Sequence, residues 1–249
     1  MDRLIYTAMS GAKQAFLQQA GVAQNLANAT TTGYRAMEHR FRAAQVLGQG
    51  APTRAFAVDA SVANVFEQGS VMTTGRPLDV ALNGQGWIAV QGNDGAEAYT
   101  RAGNLGTDAN GVLQTSSGFN VLGEGGPIAL PPDNSIAIAA DGTVSAIPRL
   151  GAGAINNASV VGRIKLVNPP ENDLVRGDDG LFRMRNGLPA EVDENVKLAP
   201  EALEGSNVNS VEAMVRMISL ARQFEMQIKM LQTADTNAGA ASKLLSMTA

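Results

Sequence analysis

Apolar residues near the two ends of the chain recur at the spacing of a helix that packs along one seam. The steps alternate between four and three residues, as at the a and d positions of a heptad. The N-terminal row consists of Ile5, Met9, Ala12, Phe16, Gln19, Ala23 and Leu26. The C-terminal row consists of Met214, Met217, Ala221, Phe224, Ile228 and Leu231. The pattern predicts one amphipathic helix at each end.

The C-terminal helix has a clear start signal. Asn209 is a good N-cap, and Glu212 then lies at the N3 position, from which it can reach back in a capping box. The helix predicted from here has ~35 residues and a length of ~50 Å. Additional apolar residues lie off its seam, namely Val211, Val215, Ile218 and Leu220. One helix at each end of an ordinary domain is the simpler interpretation, but several apolar faces favour an assembly.

The centre of the chain, roughly residues 65–200, has the pattern of β structure. Asn-Gly and Asp-Gly pairs separate short β-rich runs, and such pairs favour tight turns. They lie at 83–84, 94–95, 110–111, 141–142 and 186–187. Residues 135–146 are predicted to form a hairpin, and residues 162–167 a single strand with alternating apolar side chains.

These patterns predict an α+β fold in which long terminal helices pair as a coiled-coil-like α domain around a mainly antiparallel β domain. Residues 36–64 show no firm pattern, and we expect an extended, partly ordered arm there. The predicted divisions are an N-terminal helix and turn at 1–35, the arm at 36–64, the β domain at 65–202 and the C-terminal helix at 203–249.

Composition narrows the possible functions. The 249 residues are 45% hydrophobic and 17% charged, with a net charge of −4, which suits a globular chain. The acidity and the absence of a Lys/Arg run argue against nucleic acid as a partner. The chain has no cysteine, which excludes a thiol nucleophile and disulfides. Neither a cleaved signal sequence nor a membrane-spanning apolar stretch is predicted, so we expect no direct membrane insertion.

No catalytic, metal or cofactor site is evident in the sequence. His39 is the only histidine, and no Gly-x-Ser-x-Gly motif accompanies it, so we interpret it as a solvated residue. The DANG (108–111) and DDG (178–180) segments lack the spaced carboxylates of a calcium loop, which favours turns. GEGG (123–126) precedes a proline rather than a helix and is a poor phosphate loop.

Short motifs along nearly the whole chain resemble the flagellar rod and hook proteins of bacteria. NLANATTTGYR (25–35) is similar to the N-terminal signature of that family, and the segment from 203 to 235 is similar to its C-terminal end. TGRPLDVALNGQGW (74–87), YTRAGNL (99–105), VLGEGGPI (121–128) and DGTVSA (141–146) are similar to the central β domain. The matching terminal residues are Asn25, Leu26, Ala27, Asn28, Gly33, Ser206, Asn207 and Val208.

The resemblance implies a structural protein without enzymatic activity or cofactors. Members are exported unfolded through the flagellar type III apparatus, without a cleaved signal, and polymerise into the hollow periplasmic rod that transmits torque. The expected partners are copies of the chain, distal and smaller proximal rod subunits, and the export apparatus. The opening MDRLIYTAMSGA and Trp87 place the resemblance nearest the proximal rod type, with the distal rod type as the alternative.

The resemblance also suggests where subunits meet. In the family the terminal helices pack as the inner tube, so we expect the two apolar rows to supply the packing between subunits. The expected packing residues are Ile5, Met9, Phe16, Leu26, Met214, Met217, Ala221, Phe224, Ile228 and Leu231. We further expect Asn25 and Asn28 to bond a neighbouring chain.

Two functions from other classes stay open at this point. A secreted coiled-coil binding module with a β head would form stable oligomers in solution. A β-domain hydrolase would depend on acidic residues such as Asp79 or Asp141, although Asp79 follows Pro77 in a segment typical of a capped turn.

Overall fold

The computed structural model describes residues 2–45, 55–132, 134–148 and 158–247. It confirms an α+β chain with a long helix near each end and a central antiparallel β region. Helix α1 is Asp2–Ala27, and helix α2 is Ser210–Met247, 38 residues long. The predicted N-cap is present, because Asn209 Oδ1 accepts the backbone N–H groups of Val211 and Glu212 at 3.1 and 3.2 Å.

Short strands fill the chain between the helices. In order they are β1 (Met37–Gln45), β2 (Ala55–Asn64), β3 (Val71–Thr73), β4 (Val80–Asn83), β5 (Trp87–Gln91), β6 (Glu97–Thr100), β7 (Leu105–Thr107), β8 (Leu113–Thr115), β9 (Asn120–Gly123), β10 (Gly126–Pro127), β11 (Asn134–Ile138), β12 (Thr143–Pro148), β13 (Ser159–Arg163), β14 (Leu166–Val167), β15 (Leu174–Arg176), β16 (Phe182–Met184), β17 (Lys197–Pro200) and β18 (Ala202–Glu204). A 3-10 turn, Glu171–Asp173, precedes β15.

The chain forms two compact units. The first, the helix unit, consists of Met1–Ala29, Arg35–Val65 and Val208–Ala249. The second, the β unit, consists of Thr30–Tyr34 and Phe66–Asn207. The domain boundaries predicted from the sequence refer to the assembled subunit and stay a prediction.

Within the helix unit, α1 packs against α2 through small side chains. Ala8, Ala12 and Ala15 are buried on α1, as are Ala213 and Ala234 on α2. A methyl group added at Gly11 would lie 3.0 Å from the Gln227 side chain. Small residues let two helix backbones approach closely, and alanines occupy the most buried positions of both helices.

The segment without a sequence pattern contains two paired strands, β1 and β2, which are antiparallel and lie beside α1. Met37, His39 and Phe41 of β1 are half-buried, while Glu38 and Arg40 between them are exposed. His39 lies against α1, where a methyl group added at Gly21 would approach its ring to 2.7 Å. The solvated setting expected for His39 is therefore wrong. Residues 46–54 of the predicted arm lie outside the described residues.

The β unit is a set of small antiparallel sheets around two apolar clusters. The largest sheet has the order β15-β16-β6-β5-β9-β8-β7, with β10 beside β9 and β14 beside β5. The strands β11, β12 and β13 form a second sheet. The last strands of the β unit pair with its first strands: β17 pairs with β4, and β18 pairs with β3. The main cluster includes Val80, Leu82, Ile88, Leu113, Val121, Val144, Ile164 and Leu198.

Two local predictions in this region have different outcomes. The 135–146 hairpin is confirmed, with Ile138 opposite Val144 across the turn at Asp141 and Gly142. The single strand at 162–167 is wrong, because β13 pairs with β12 while β14 pairs with β5. The chain changes sheets at residues 164–165, and an alternating pattern does not reveal such a change of partner.

Candidate functional site

Large apolar side chains remain exposed on both helices. We call this set the apolar helix surface; it consists of Tyr6, Met9, Phe16, Val211, Met214, Val215, Ile218, Met226 and Met230. These are nine of the sixteen exposed large apolar side chains in the described part of the chain, so exposure is concentrated on the helices. Exposed apolar groups gathered on one element are typical of a protein interface.

The residues predicted to pack between subunits fall into two groups in the structure. Met9, Phe16 and Met214 are exposed by 54%, 60% and 53%. The others are half-buried: Ile5, Leu26, Met217, Ala221, Phe224, Ile228 and Leu231. On α2 the half-buried residues follow the same side as buried Ala213 and Ala234, which packs on α1.

The side of α1 that faces inward differs from the predicted row at every second position. The predicted and observed rows share Ile5, Ala12, Gln19 and Leu26. Between them, the inward positions are Ala8 and Ala15, not Met9 and Phe16. The two candidates at each step differ by one residue, or 100° around the helix. The smaller residue lies inside at the first two steps, whereas at the third step Val22 is half-buried and Ala23 is exposed. The larger residues remain available to another chain.

The N-terminal motif bonds within its own chain. Asn25 Nδ2 donates to the Met37 carbonyl at 2.8 Å, and Asn25 Oδ1 accepts the Met37 N–H at 2.9 Å. This two-point contact joins the end of α1 to the start of β1, as a neighbouring strand would. Asn28 Nδ2 donates to the Gln24 carbonyl at 2.9 Å, one turn earlier. Leu26 is half-buried and Ala27 is exposed beside them.

The N-terminal and C-terminal motifs meet within the β unit. Gly33 has φ +67°, and its N–H donates to the Glu204 carbonyl at 2.8 Å. The Asn207 N–H donates to the Tyr34 carbonyl at 3.3 Å, and Asn207 Nδ2 donates to the Glu67 carbonyl at 3.1 Å. Ser206 and Val208 flank Asn207 and are half-buried. Asn25, Asn28, Gly33 and Asn207 therefore make hydrogen bonds within the chain. The expected bonding of Asn25 and Asn28 to a neighbouring chain stays a prediction.

A buried ion pair that the sequence analysis did not predict lies at the same place. Arg101 Nη1 is 3.3 Å from Glu204 Oε1, and both side chains are buried. Arg101 also donates to the carbonyls of Gly86, at 2.9 Å, and Gly84. Glu204 Oε1 in turn accepts the Gly69 N–H at 3.0 Å. Arg101 and Glu204 both lie in motifs that carry the family resemblance, and in the sequence this resemblance was the feature that could have indicated them.

Other titratable side chains of the β unit are engaged in local structure. Burial, followed by the neighbouring Glu97 charge, raises the pKa of Tyr99 to about 12 against the lowering effect of the Ala190 N–H. Tyr99 Oη donates to Glu97 at 3.0 Å, and Lys165 Nζ lies 2.7 Å from the same carboxylate. Tyr99 therefore stays protonated and supplies neither a base nor a nucleophile at neutral pH.

The acidic residues considered for catalysis or calcium binding lie in turns. Asp79 Oδ2 accepts the Thr74 hydroxyl at 2.8 Å, and Asp141 accepts the Thr143 N–H and hydroxyl. Asp108 accepts the N–H groups of Asn110 and Val112. The turn interpretation is confirmed at these positions. Among the described residues no cluster of three His, Asp or Glu side chains has the geometry of a metal site.

The β unit also has an open groove on its surface. The groove has a volume of about 390 Å³, and its lining includes Arg76, Leu130 and Pro131. The Arg76 guanidinium pairs with Asp79 at 3.4 Å. In the described ranges, neither α1 nor α2 has an apolar stretch long enough to cross a bilayer.

Comparison with known proteins supplies the family. Residues 5–35 match the model described as flagella basal body rod protein, and residues 81–146 match the flagellar hook protein FlgE/F/G D1 domain. Residues 199–244 match the flagellar basal body rod FlgEFG protein C-terminal model. Together the three matches cover most of both helices and, in the β unit, residues 81–146 and 199–207.

Relatives that match along most of the chain are also flagellar basal-body rod proteins. The chain is 46% identical to the flagellar basal-body rod protein FlgF of Escherichia coli K12, over 99% of this chain and 100% of that protein. It is also 46% identical to FlgF of Salmonella typhimurium LT2 over the same shares. Identity to the rod protein FlgG of Agrobacterium fabrum C58 is 33%, over 90% of this chain and 92% of that one. The chain therefore belongs to the flagellar basal-body rod protein family and is a FlgF-like rod protein.

Proposed function

We propose that this chain is a structural subunit of the proximal rod and joins neighbouring subunits through its terminal helices. The observation that carries the proposal is the apolar helix surface, on which Phe16 and Ile218 are more than half exposed. In this proposal α1 and α2 pair in a coiled-coil-like manner, and the predicted packing residues that face outward contact the helices of the next subunit. The subunit has no catalytic role.

The size of the surface favours assembly by many weak contacts. Burying the exposed half of one large apolar side chain contributes about 1 kcal/mol. Four such residues near the start of α2 therefore contribute about 4 kcal/mol, which does no more than offset the lower estimates of the cost of association. A single pairwise contact is too weak to persist, so we expect a monomer in solution that adds only where several neighbours are already in place.

Head-to-tail contacts of this kind generate an open helical array rather than a closed ring when the rotation between subunits does not close. The FlgG relative aligns along most of this chain, so other rod proteins carry comparable helical ends. We propose that such rod proteins and copies of this chain are its neighbours in a hollow periplasmic rod. Export through the flagellar type III apparatus, without a cleaved signal, is part of the same proposal.

The test compares two apolar-to-carboxylate changes at similarly exposed sites. Ile218→Asp lies on the apolar helix surface, where the residue is 56% exposed, and Leu188→Asp lies in a turn of the β unit, where it is 64% exposed. We expect Ile218→Asp to abolish swimming in soft agar and to be absent from purified basal bodies, because a charge would be buried unpaired. Leu188→Asp should swim normally.

Phe224→Asp is a poorer test, because Phe224 is half-buried on the side of α2 that packs on α1 and its loss would also disturb folding. Purified Ile218→Asp should keep the circular dichroism and urea midpoint of the unchanged chain. Normal motility and normal incorporation of Ile218→Asp would refute the role of the helix surface.

A further inference from the structure

Three Asn-Gly pairs in the β unit share one sequence and similar exposure. They are Asn83-Gly84, Asn110-Gly111 and Asn186-Gly187. Each asparagine is exposed, and each glycine has a positive φ, at +87°, +82° and +70°. Asparagine before glycine is prone to deamidation, because no side chain shields the glycine nitrogen from the asparagine amide carbon. The three pairs therefore share the reacting sequence and can be compared by their local structure.

Two of the pairs are restrained at both reacting groups. The Gly111 N–H donates to the Asp108 carbonyl at 3.1 Å, and Asn110 Nδ2 donates to Asp108 Oδ2 at 3.1 Å. The Gly187 N–H donates to the Met184 carbonyl at 2.9 Å, and Asn186 Oδ1 accepts the Leu188 N–H at 3.0 Å. In each pair the attacking nitrogen must first leave a hydrogen bond, and a second hydrogen bond holds the asparagine side chain in place.

The third pair has neither restraint. Asn83 is the last residue of β4, opposite Lys197 of β17, and Gly84 follows the strand. Within the described ranges, the Gly84 N–H and the Asn83 side-chain amide make no hydrogen bond. Apart from the two neighbouring residues, no described residue has an atom within 4 Å of the position that a Gly84 Cβ would occupy. The reacting groups are therefore exposed to solvent and unrestrained by hydrogen bonds in the described part of the chain.

We infer that Asn83 is a site of spontaneous deamidation in the folded protein. The Gly84 nitrogen loses its proton to solvent and attacks Cγ of Asn83, a new N–C bond forms, and the side-chain amide leaves as ammonia. Water then opens the resulting succinimide at one of its two carbonyls and yields aspartate or isoaspartate at position 83. No oxidant or reductant is needed.

Deamidation at Asn83 affects the buried Arg101–Glu204 ion pair through the neighbouring residue Gly84. The Gly84 carbonyl accepts a hydrogen bond from Arg101 Nη2, beside the Arg101 contact with Glu204. Isoaspartate inserts one additional methylene into the backbone immediately before Gly84 and leaves a carboxylate beside it. The inserted methylene displaces the Gly84 carbonyl, so isoaspartate removes one of the contacts that hold Arg101.

The experiment incubates the purified full-length chain at mildly alkaline pH, once folded and once in concentrated urea. Peptide mass spectrometry follows the amide-to-acid change at each of the three asparagines. In the folded chain Asn83 should react at least about fivefold faster than Asn110 and Asn186, the factor that one hydrogen bond of ordinary net strength corresponds to. In urea the three rates should be nearly equal, because the folded restraints are gone.

The matched variants are Asn83→Asp, which adds the charge without the extra methylene, and Asn83→Ser, which cannot react. Aged unchanged chain should lose more stability than Asn83→Asp, and Asn83→Ser should not change with ageing at this position. Equal rates at the three sites in the folded chain would overturn the inference, as would a folded Asn83 that stays intact while the urea sample reacts.

Discussion

The guanidinium of Arg101 lies 3.3 Å from the carboxylate of Glu204, although 103 residues separate them in the sequence. Both side chains are buried, and the pair joins a loop after β6 to the end of β18. Glu204 also receives the Gly33 N–H at its carbonyl. Segments from the beginning, middle and end of the chain therefore meet at one charged pair.

Removing one member of this pair should be costly. Arg101→Met removes the Arg101 guanidinium from the buried Glu204 carboxylate, and we expect a loss of about 3–5 kcal/mol in the free energy of unfolding. The double variant Arg101→Met/Glu204→Leu should recover part of that loss. Urea unfolding of the single and double variants measures both values.

The control for this prediction is Arg163→Met, which removes a partly exposed ion pair with Glu124 at 3.6 Å and a hydrogen bond to the Asp141 carbonyl at 2.9 Å. Its cost should stay below about 2 kcal/mol, since exposed pairs contribute little and one hydrogen bond contributes about 1 kcal/mol. Equal losses for Arg101→Met and Arg163→Met would mean that burial of the Arg101–Glu204 pair does not matter.

Gly33→Ala should destabilise the chain more than the same change at another left-handed glycine. A Cβ at Gly33 would lie 2.3 Å from the Arg101 carbonyl carbon, whereas a Cβ at Gly75, with φ +72°, meets no atom within 4 Å. Gly75→Ala should cost the left-handed penalty alone, about 1 kcal/mol. Gly33→Ala should add an overpacking cost of about 1–3 kcal/mol. Thermal unfolding compares them, and equal melting temperatures would contradict the close approach.

Asn25→Ala should release the start of β1 from the end of α1. It removes two hydrogen bonds to the Met37 backbone, and we expect a loss of about 2 kcal/mol. Hydrogen exchange at the Met37 amide gives a local readout and should become faster. Asn28→Ala, which removes an exposed bond to the Gln24 carbonyl, is the matched control. Unchanged protection of Met37 in Asn25→Ala would refute the contact.

Acid should weaken the β unit through Asp179. Hydrogen bonds from the Arg183 guanidinium, at 2.7 and 3.0 Å, lower the pKa of Asp179 below its ordinary value of 3.8. A carboxylate with a lowered folded pKa contributes its stability above the unfolded pKa and loses it as the pH falls through the folded pKa. The free energy of unfolding should therefore decrease as the pH falls below 3.8.

Asp179→Asn should remove part of this pH dependence, while Asp178→Asn should not. Asp178 is exposed and makes no ion pair among the described residues, so it is the matched neighbour. Urea unfolding at neutral and acidic pH tests both variants. A pH dependence that is identical in Asp179→Asn and in the unchanged chain would show that this carboxylate is not responsible.

Local patterns were sufficient for much of the fold. The N-cap at Asn209, the turn at Asp141 and Gly142 and the β character of the centre follow from residues close together in sequence. The capping box does not form as predicted, because the Glu212 carboxylate pairs with Arg216 at 2.8 Å instead. The strands β1 and β2 escaped prediction although Met37, His39 and Phe41 alternate with charged residues, because a mixed row of this kind is a weak apolar signal.

The sequence by itself determined the terminal helices, the turn positions and the family, since these depend on short-range periodicity, turn chemistry and ordered motifs. Tertiary structure decided that Ala8 and Ala15 face inward instead of Met9 and Phe16, because a heptad pattern leaves each step uncertain by one residue and close helix packing selects the smaller side chain. It also decided that Arg101 meets Glu204, because nothing local to either residue specifies a partner so distant in the chain.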